Sequence, residues 1–163
     1  MLTTKETSRK QEHMIADYLG WNVVPASGAS DFNPGDITNT EWLGECKTHM
    51  KPVDKVSFNL SVYKKICTEA MSKMKKPIMF SDKGTQIIHE THVLLPFNAL
   101  PDFEGRTRKF KISLFHDKVN IHIIGGLLDG FDGYVIDSWA DVGNVIIMRL
   151  ETFKKILDGD DSC

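Results

Sequence analysis

The segment from Asp36 to Lys47 constrains the fold of this chain more than any other. It reads Asp-Ile-Thr-Asn-Thr-Glu-Trp-Leu-Gly-Glu-Cys-Lys. The central pair Asn39-Thr40 is suited to a two-residue turn, and the flanking residues 35–38 and 41–48 are suited to the arms of a hairpin. The segment therefore predicts two antiparallel strands joined by a tight turn.

Side-chain alternation across this hairpin would gather charged residues on one face. With a two-residue loop, Asp36 lies opposite Leu43, and Glu45 and Lys47 follow Leu43 on the same face. Asp36 and Glu45 are then diagonal neighbours, about 7–8 Å apart at the backbone. Cys46 points the other way, into the core. A loop longer by one residue would move Asp36 to the opposite face.

Two converging carboxylates beside an amine are the parts of a metal-dependent phosphodiesterase site. Mg²⁺ and Mn²⁺ prefer hard oxygen ligands, which Asp36 and Glu45 supply. Lys47 adds a fixed positive charge where the negative charge of a phosphate develops. The alternative is an ordinary solvated strand face, because acid-x-lysine triplets also arise by chance.

A helix predicted over Ser8–Gly20 carries a further carboxylate. Ile15 and Leu19 stand four residues apart on its apolar stripe, and a glycine is suited to its C-terminal stop. Glu12 precedes Ile15 by three residues, so it lies at the edge of the buried face and can reach a site there. A solvated acid that favours the positive end of the helix dipole is the open alternative.

A loop of small, turn-forming residues, Pro25 to Gly35, joins this helix to Asp36. Such a loop lets a phosphate backbone come close. The order of Glu12, this loop, Gly35-Asp36 and Glu45–Lys47 resembles the PD-(D/E)xK nuclease superfamily, which has the restriction-endonuclease-like fold. Within it, the resemblance is greatest to Holliday junction resolvases of the archaeal type and their phage-encoded relatives. It covers about residues 8–80.

The resemblance implies an α/β fold with a mixed central β-sheet flanked by helices, and Mg²⁺ or Mn²⁺ as the cofactor. Residues at the positions of Asp36 and Glu45 bind the metal in that family, Lys47 assists catalysis, and Glu12 completes the site. The implied partner is DNA, in particular branched or junction DNA, and a homodimer would place two sites for paired cuts. The chain departs from the family motif at Gly35, where the motif has proline.

Charge indicates the same kind of partner, although the whole chain has a net charge of −2. Residues 45–76 hold eight lysines against three acids, and residues 106–118 have a net charge of +4. Two basic segments flanking the site suit a polyanion. Lysine runs are also ordinary solvated faces, and nothing here reads base edges. From this charge, from the family's strand-contacting serines and from proximity to Lys47, the residues expected to contact DNA are Ser27, Ser30, His49, Lys51, Lys55, Arg106, Arg108 and Lys109.

The remaining pattern predicts a second helix and several strands. Apolar residues recur every four positions from Phe58 to Met74, which predicts a helix over Ser57–Lys75 that closes at Lys76-Pro77. Beyond it the sequence predicts more strand than the family core requires, a β-rich elaboration at about residues 100–150. The predicted elements are strands at 77–80 and 91–96, a hairpin of 109–115 with 119–124, strands at 133–137 and 144–150, and a helix at 151–157.

Length and composition favour one domain spanning residues 1–163, with the core motifs at 8–80. The chain has 163 residues, of which 41% are hydrophobic and 26% are charged, which is enough for a sizeable core. Three cysteines without framework spacing suit a reducing compartment, and no apolar run approaches membrane length. We therefore expect a cytoplasmic protein with no membrane partner.

The sequence thus predicts a metal-dependent DNA endonuclease that hydrolyses phosphodiester bonds and selects branched DNA. One alternative is a restriction-like or less selective DNase with the same site. The other is a catalytically inactive nucleic-acid-binding module that keeps the fold.

Overall fold

The computed structural model of the protein describes residues 1–25, 34–100, 103–110, 117–122 and 130–159. Ser27 and Ser30, which were predicted to contact DNA, lie outside the described residues. The described helices are α1 (Thr4–Leu19), α2 (Leu60–Ser72) and α3 (Leu150–Leu157). The described strands are β1 (Asn22–Val23), β2 (Ile37–Thr38), β3 (Trp42–Lys47), β4 (Lys55–Asn59), β5 (Lys76–Ser81), β6 (His92–Pro96), β7 (Thr107–Phe110), β8 (Lys118–His122), β9 (Gly133–Ile136) and β10 (Val145–Arg149).

Eight of these strands form one mixed sheet in the order β1-β2-β3-β5-β6-β10-β9-β7. The β3–β5 and β7–β9 pairs are parallel, and the other pairs of this sheet are antiparallel. Strands β4 and β8 form a separate antiparallel pair. The predicted α/β class, with a mixed central sheet flanked by helices, is confirmed.

Helices cover both faces of the sheet, because each face carries a band of apolar side chains that must be buried. On one face α1 and α3 pack around Trp42, whose ring lies 5.4 Å from that of Phe153 and 6.4 Å from that of Trp21. On the other face α2 packs with β4 and β8, and Tyr63 stacks on Trp139 at 6.0 Å. We call these the α1 face and the α2 face.

Helix α1 begins earlier than predicted and ends where predicted. Thr3 and Glu6 form a reciprocal capping box, in which each side chain accepts a hydrogen bond from the other residue's backbone N–H. This cap extends the helix to Thr4 instead of Ser8. Gly20 adopts a left-handed conformation with φ of 72° and ends the helix, as the glycine stop predicts.

The turn between β2 and β3 is wider than predicted. Ile37 pairs with Gly44 and Thr38 pairs with Leu43, so the predicted register is wrong by two residues. The carboxamide oxygen of Asn39 accepts hydrogen bonds from the N–H groups of Glu41 and Trp42, at 2.9 and 2.7 Å. These two hydrogen bonds stabilise the wider loop. A shift of two residues leaves the faces unchanged, because side chains alternate with a period of two.

The predicted helix at 57–75 is wrong at both ends. Its first residues belong to β4, where Phe58 is fully buried and pairs with Val119 of β8. Asn59 has extended backbone and its side chain accepts the Ser61 N–H at 2.9 Å, so the helix starts after it. The helix ends at Ser72, and the Lys76-Pro77 pair opens β5 instead of closing the helix.

The second half of the chain keeps most predicted elements but changes one pairing. Strands β6, β9 and β10 and helix α3 occur where they were predicted. The predicted hairpin of 109–115 with 119–124 is wrong for the described residues, because β7 pairs in parallel with β9 and β8 pairs with β4. Much of the expected elaboration therefore extends the central sheet beyond β6. No helix among the described residues is long and apolar enough to span a membrane.

Candidate metal and nucleic-acid site

The Asp36 carboxylate lies where the chain enters β2, directly against β3. Its Oδ2 accepts a hydrogen bond from the Cys46 N–H at 2.8 Å. The Asp36 N–H donates to the carbonyl of Gly44 at 2.8 Å. These two contacts fix the aspartate beside the middle of β3, next to Glu45.

Gly35 gives the chain the backbone conformation that brings Asp36 to this position. Its φ is +75°, and a Cβ at this residue would lie 2.7 Å from Cδ1 of Leu43. Its N–H donates to Oε2 of Glu69 on α2 at 3.1 Å. Proline has φ near −65° and no N–H, so it cannot occupy this position. This backbone therefore accounts for the glycine at this position.

Glu45 and Lys47 form an ion pair on the same face of β3. Lys47 Nζ lies 2.8 Å from Oε1 of Glu45. The glutamate side chain is 14% exposed and the lysine side chain is 50% exposed. The carboxylate is therefore held inside the site, while the ammonium group remains accessible to a substrate.

The predicted faces of β3 are confirmed. Leu43 packs in the core of the α2 face, and Glu45 and Lys47 follow it at alternate positions. Cys46 lies in the core of the α1 face, as predicted, and burial raises the pKa of its thiol well above the usual range. Ile37 of β2 is also in that core, which leaves Asp36 on the side of Glu45.

Glu12 of α1 faces the same group of charges. Partial burial raises the pKa of its carboxyl, and the Glu45 carboxylate raises it further, whereas Arg9 and Lys47 act in the opposite direction. Glu12 is therefore close enough to Glu45 and Lys47 to interact with their charges. The structure favours the inward orientation of Glu12 over the solvated alternative.

Crowding of like charges is the main electrostatic property of this site. Burial, followed by repulsion from Glu45, raises the pKa of Asp36 to about 7. Burial opposes the charged form of Lys47, but its hydrogen bond to Glu45 and the adjacent carboxylates together raise its pKa. Lys47 is thus a stable cation among three carboxyl groups, and the site has an excess of negative charge.

This donor set fits a hard divalent cation. Asp36 and Glu45 offer carboxylate oxygens, and a cation between them would relieve the repulsion that raises the Asp36 pKa. Among the described residues, no three His, Cys, Asp or Glu side chains form a complete metal centre alone. Mg²⁺ sites commonly use only one or two carboxylates together with water and substrate phosphate oxygens.

The basic segment from residue 45 to 76 presents less free charge than its sequence suggests. Besides Lys47, four of its lysines are engaged within the protein. They form the contacts Lys64–Asp141 at 2.6 Å, Lys65–Glu69 at 3.7 Å, Lys76–Glu41 at 3.5 Å, and Lys75 to Thr38 Oγ1 at 2.8 Å. Lys51 is exposed, and Lys55, at the start of β4, is partly exposed. Lys51, Lys55 and the partly buried His49 all follow the end of β3. They are therefore the predicted DNA contacts that are nearest to Lys47 in the sequence.

The second basic cluster lies at the opposite edge of the sheet, on β7. Arg106, Arg108 and Lys109 are exposed. The guanidinium groups of Arg106 and Arg108 lie 5.7 and 6.0 Å from the ring centre of Phe131, within the range of cation–π attraction. Lys109 contacts Asp137 at 3.6 Å. We call Arg106, Arg108 and Phe131 the β7 cluster.

Strand pairing relates the β7 cluster to the acidic site. One transverse row of the sheet runs through the paired residues Glu45, Met79, Leu94, Ile147, Tyr134 and Arg108. Paired residues share a face, so Arg108 projects on the same face as Glu45. Five strand spacings separate them, which is about 24 Å. The second basic segment therefore does not flank the site closely, contrary to the prediction, but lies at the far end of this row.

Several residues around the site were missed from the sequence. Gln11 of α1 is fully buried and its Nε2 donates to the Lys47 carbonyl at 2.7 Å. Asp82 is fully buried and accepts a hydrogen bond from the Thr48 hydroxyl at 2.6 Å. Glu69 binds the Gly35 N–H. Gln11 stands four residues before Ile15, in line with the apolar stripe of α1, so helical periodicity could have indicated its burial, whereas its partner Lys47 could not be read from the sequence.

No protein-family model, curated protein or solved structure matches this chain. Functional inference therefore starts from the arrangement of the residues themselves.

Proposed function

We propose that this protein is a metal-dependent DNA endonuclease with a restriction-endonuclease-like core. Asp36 and Glu45 would hold Mg²⁺ or Mn²⁺, Lys47 would act on the scissile phosphate, and Glu12 would orient the site. The observation that carries this proposal is the placement of Asp36, Glu45 and Lys47 on one face beside β3, where the Cys46 N–H holds Asp36 at 2.8 Å and Lys47 pairs with Glu45 at 2.8 Å. Glu12 interacts electrostatically with Glu45 and Lys47.

Each of these residues has a distinct role in phosphodiester hydrolysis. When bound, the divalent ion supplies Lewis-acid polarisation of a phosphoryl oxygen. Lys47 has a raised pKa and stays protonated, so its ammonium group orients the attacking water and stabilises developing negative charge instead of acting as a base. Glu12 provides a further acceptor for a water hydrogen bond, and the Cys46 N–H holds the Asp36 carboxylate in place.

DNA is the substrate that the charge distribution favours. Lys51 and Lys55 extend from the end of β3, and the β7 cluster with Lys109 presents exposed cations at the far edge of the sheet. These groups neutralise phosphates without reading bases.

Selection of branched DNA and assembly as a homodimer both come from the resemblance to Holliday junction resolvases. A two-fold dimer presents two identical sites, which is the arrangement needed for paired cuts at a junction. The two properties belong together, because a monomer holds only one copy of Asp36, Glu45 and Lys47.

A cleavage assay on a panel of DNA substrates tests the proposal. Four-way junction, linear duplex and single-stranded DNA would each be incubated with the protein in Mg²⁺ or Mn²⁺. We expect faster cleavage of the junction than of the duplex, and loss of cleavage in Asp36→Asn and Lys47→Ala. Asp36→Asn keeps the shape of the side chain, so retained DNA binding by this variant would serve as the folding control.

The other outcomes identify the alternatives. Equal cleavage of junction and linear duplex would indicate a restriction-like or less selective DNase. DNA binding without cleavage of any substrate, in either metal, would indicate a catalytically inactive nucleic-acid-binding module and would refute the enzyme assignment.

A further inference from the structure

The carbonyl of Lys47 is held by side-chain and main-chain donors from outside β3. Lys47 is the last residue of β3, and its sheet partner Ser81 is the last residue of β5. Gln11 Nε2 donates to the Lys47 carbonyl at 2.7 Å, and the Asp82 N–H approaches the same oxygen at 3.4 Å. The end of the strand that carries the ammonium group is therefore fastened both to α1 and to the segment after β5.

Gln11 occupies its position at a cost in stability. The residue is 0% exposed, and its Oε1 has no hydrogen-bond partner among the described residues. Leaving a buried acceptor unpaired costs about 1–3 kcal/mol. An apolar side chain of the same length would avoid this cost while filling the same space. Stability alone therefore does not favour an amide at this position, whereas the bond to Lys47 requires one.

We propose that Gln11 is a positioning residue for the candidate site and that it acts through the main chain of Lys47. This inference rests on the proposed nuclease function. Gln11 directly precedes Glu12 in α1, so this hydrogen bond links the helix that carries Glu12 directly to the end of the strand that carries Glu45 and Lys47. Loss of the bond leaves all four charged side chains in the protein but releases the end of β3.

The chain offers a matched control in Gln86. Its Nε2 donates to the carbonyl of Thr7 at 2.7 Å, so it also fastens α1 to the segment after β5 through a partly buried amide. Gln86 makes no hydrogen bond to a residue of the candidate site. Gln11→Met and Gln86→Met thus each remove one hydrogen bond from a side-chain amide to a main-chain carbonyl that fastens α1, and only the first touches Lys47.

Single-turnover cleavage, DNA affinity and urea unfolding of the two variants test the proposal. We expect Gln11→Met to slow cleavage about 10- to 100-fold, as a small misplacement of a catalytic group does, with DNA affinity changed less than twofold. We expect Gln86→Met to change both quantities less than twofold. Equal slowing in the two variants, or cleavage by Gln11→Met at the wild-type rate, would overturn the inference.

Hydrogen exchange provides a readout that does not depend on cleavage. The Cys46 N–H donates to Asp36, so its exchange rate reports whether the two strands stay registered at the site. We expect faster exchange at Cys46 in Gln11→Met and an unchanged rate in Gln86→Met. If the wild-type protein cleaves no DNA, the proposed function fails. The exchange comparison then still decides whether Gln11 anchors the strand, and unchanged exchange in Gln11→Met would reject the anchor itself.

Discussion

At the β3 end of the sheet, charged side chains are crowded and partly buried, whereas at the β7 end they are exposed and spread along a strand. Asp36 and Glu45 lie close together, and the pKa of Asp36 is raised to about 7 by burial and by that neighbour. Arg106 and Arg108 face solvent beside an aromatic ring. The first arrangement stores electrostatic repulsion that a cation can relieve, and the second offers positive charge to a polyanion.

The difference teaches that a charge count along the sequence does not locate a binding surface. The segment at 45–76 has the larger excess of lysines, yet several of them pair with acids or carbonyls of the protein. Three exposed cations near β7 carry less total charge but are arranged in one place. In the proposed function, we therefore place phosphodiester hydrolysis at the β3 end and much of the DNA affinity at the β7 end.

Neutralising the carboxylate at the β3 end should have the largest effect. Glu45→Gln removes a proposed metal ligand and the partner of Lys47, so we expect the single-turnover cleavage rate to fall about 10²- to 10³-fold. DNA affinity should stay within threefold of wild type, because the variant keeps every cation that contacts the phosphates and loses only one repulsive negative charge. Cleavage kinetics and a filter-binding titration measure the two quantities. Weakened binding with an unchanged rate would reverse the assignment of the two ends.

Glycine substitutions should show that the β3 end is also the tightly packed end. In Gly35→Ala, the new methyl group meets Leu43 at 2.7 Å, and the residue keeps a positive φ. We expect a loss of about 2–4 kcal/mol in the free energy of unfolding. Gly130, beside Phe131, also has a positive φ of 78°, but no atom of the described residues lies within 4 Å of a Cβ built there. Gly130→Ala should cost only about 1 kcal/mol. Chemical denaturation measures both, and equal losses would show that packing does not distinguish the ends.

Protonation in acid should act in opposite directions at Asp36 and at His92, which lies on β6 between the two ends. Burial is the main cause that lowers the pKa of His92 to about 4 from the usual value of 6.5. Between pH 7 and pH 5 the unfolded chain therefore binds a proton at His92 that the folded protein does not, which lowers the free energy of unfolding by about 2 kcal/mol. The raised pKa of Asp36 has the opposite effect, because the folded protein then binds a proton at Asp36 that the unfolded chain does not. His92→Asn keeps a donor for the Glu90 carbonyl but does not titrate. Denaturation at both pH values should show that the change in the free energy of unfolding from pH 7 to pH 5 is about 2 kcal/mol more favourable in the variant than in the wild type. Identical changes would exclude the His92 contribution.

Removing the cations of the β7 cluster should weaken DNA binding moderately. For the double variant Arg106→Ala with Arg108→Ala, we expect about tenfold weaker binding at moderate salt and a salt-dependence slope reduced by about 2. The cleavage rate at saturating DNA should remain near that of wild type. Binding titrations at several salt concentrations measure the slope, and an unchanged slope would remove this cluster from the DNA interface.

The smallest effect should come from lysines that are already paired. Lys64 contacts Asp141, and Lys65 contacts Glu69. We expect Lys64→Gln and Lys65→Gln to change DNA affinity less than twofold, because each charge is largely neutralised by its partner. The same titrations provide the measurement. A loss as large as that of the arginine double variant would show that the paired lysines bind DNA as well.

Much of the site could be predicted because it depends on local periodicity. Alternation along β3 places Glu45 and Lys47 on one face and Cys46 on the other, and this holds for any even shift of the turn. The register itself could not be predicted, since it depends on the hydrogen bonds that the Asn39 side chain makes. The predicted start of the second helix was wrong because Phe58 is buried in β4. Phe58 stands four residues before Val62 of α2, a spacing that also fits a helix.

Features that depend on distant partners could not be read from the sequence. Strands β7 and β8 are consecutive in the chain but do not pair with each other. Strand β7 pairs with β9 and strand β8 pairs with β4, so each strand buries its side chains against a partner that is distant in the sequence. The pairing of Lys64 with Asp141 joins residues far apart in the sequence. The i, i+4 spacing of Gln11 and Ile15 indicates that Gln11 is buried, but the hydrogen bond of Gln11 to the Lys47 carbonyl joins residues far apart in the sequence.

Metal-dependent cleavage of a four-way junction tests the central claim most directly. The account predicts that the wild-type protein cuts the junction in Mg²⁺ or Mn²⁺, that excess chelator stops the reaction, and that Asp36→Asn binds the junction without cutting it. Cleavage that persists in chelator or in Asp36→Asn, or its absence in both metals with wild-type protein, would contradict the account.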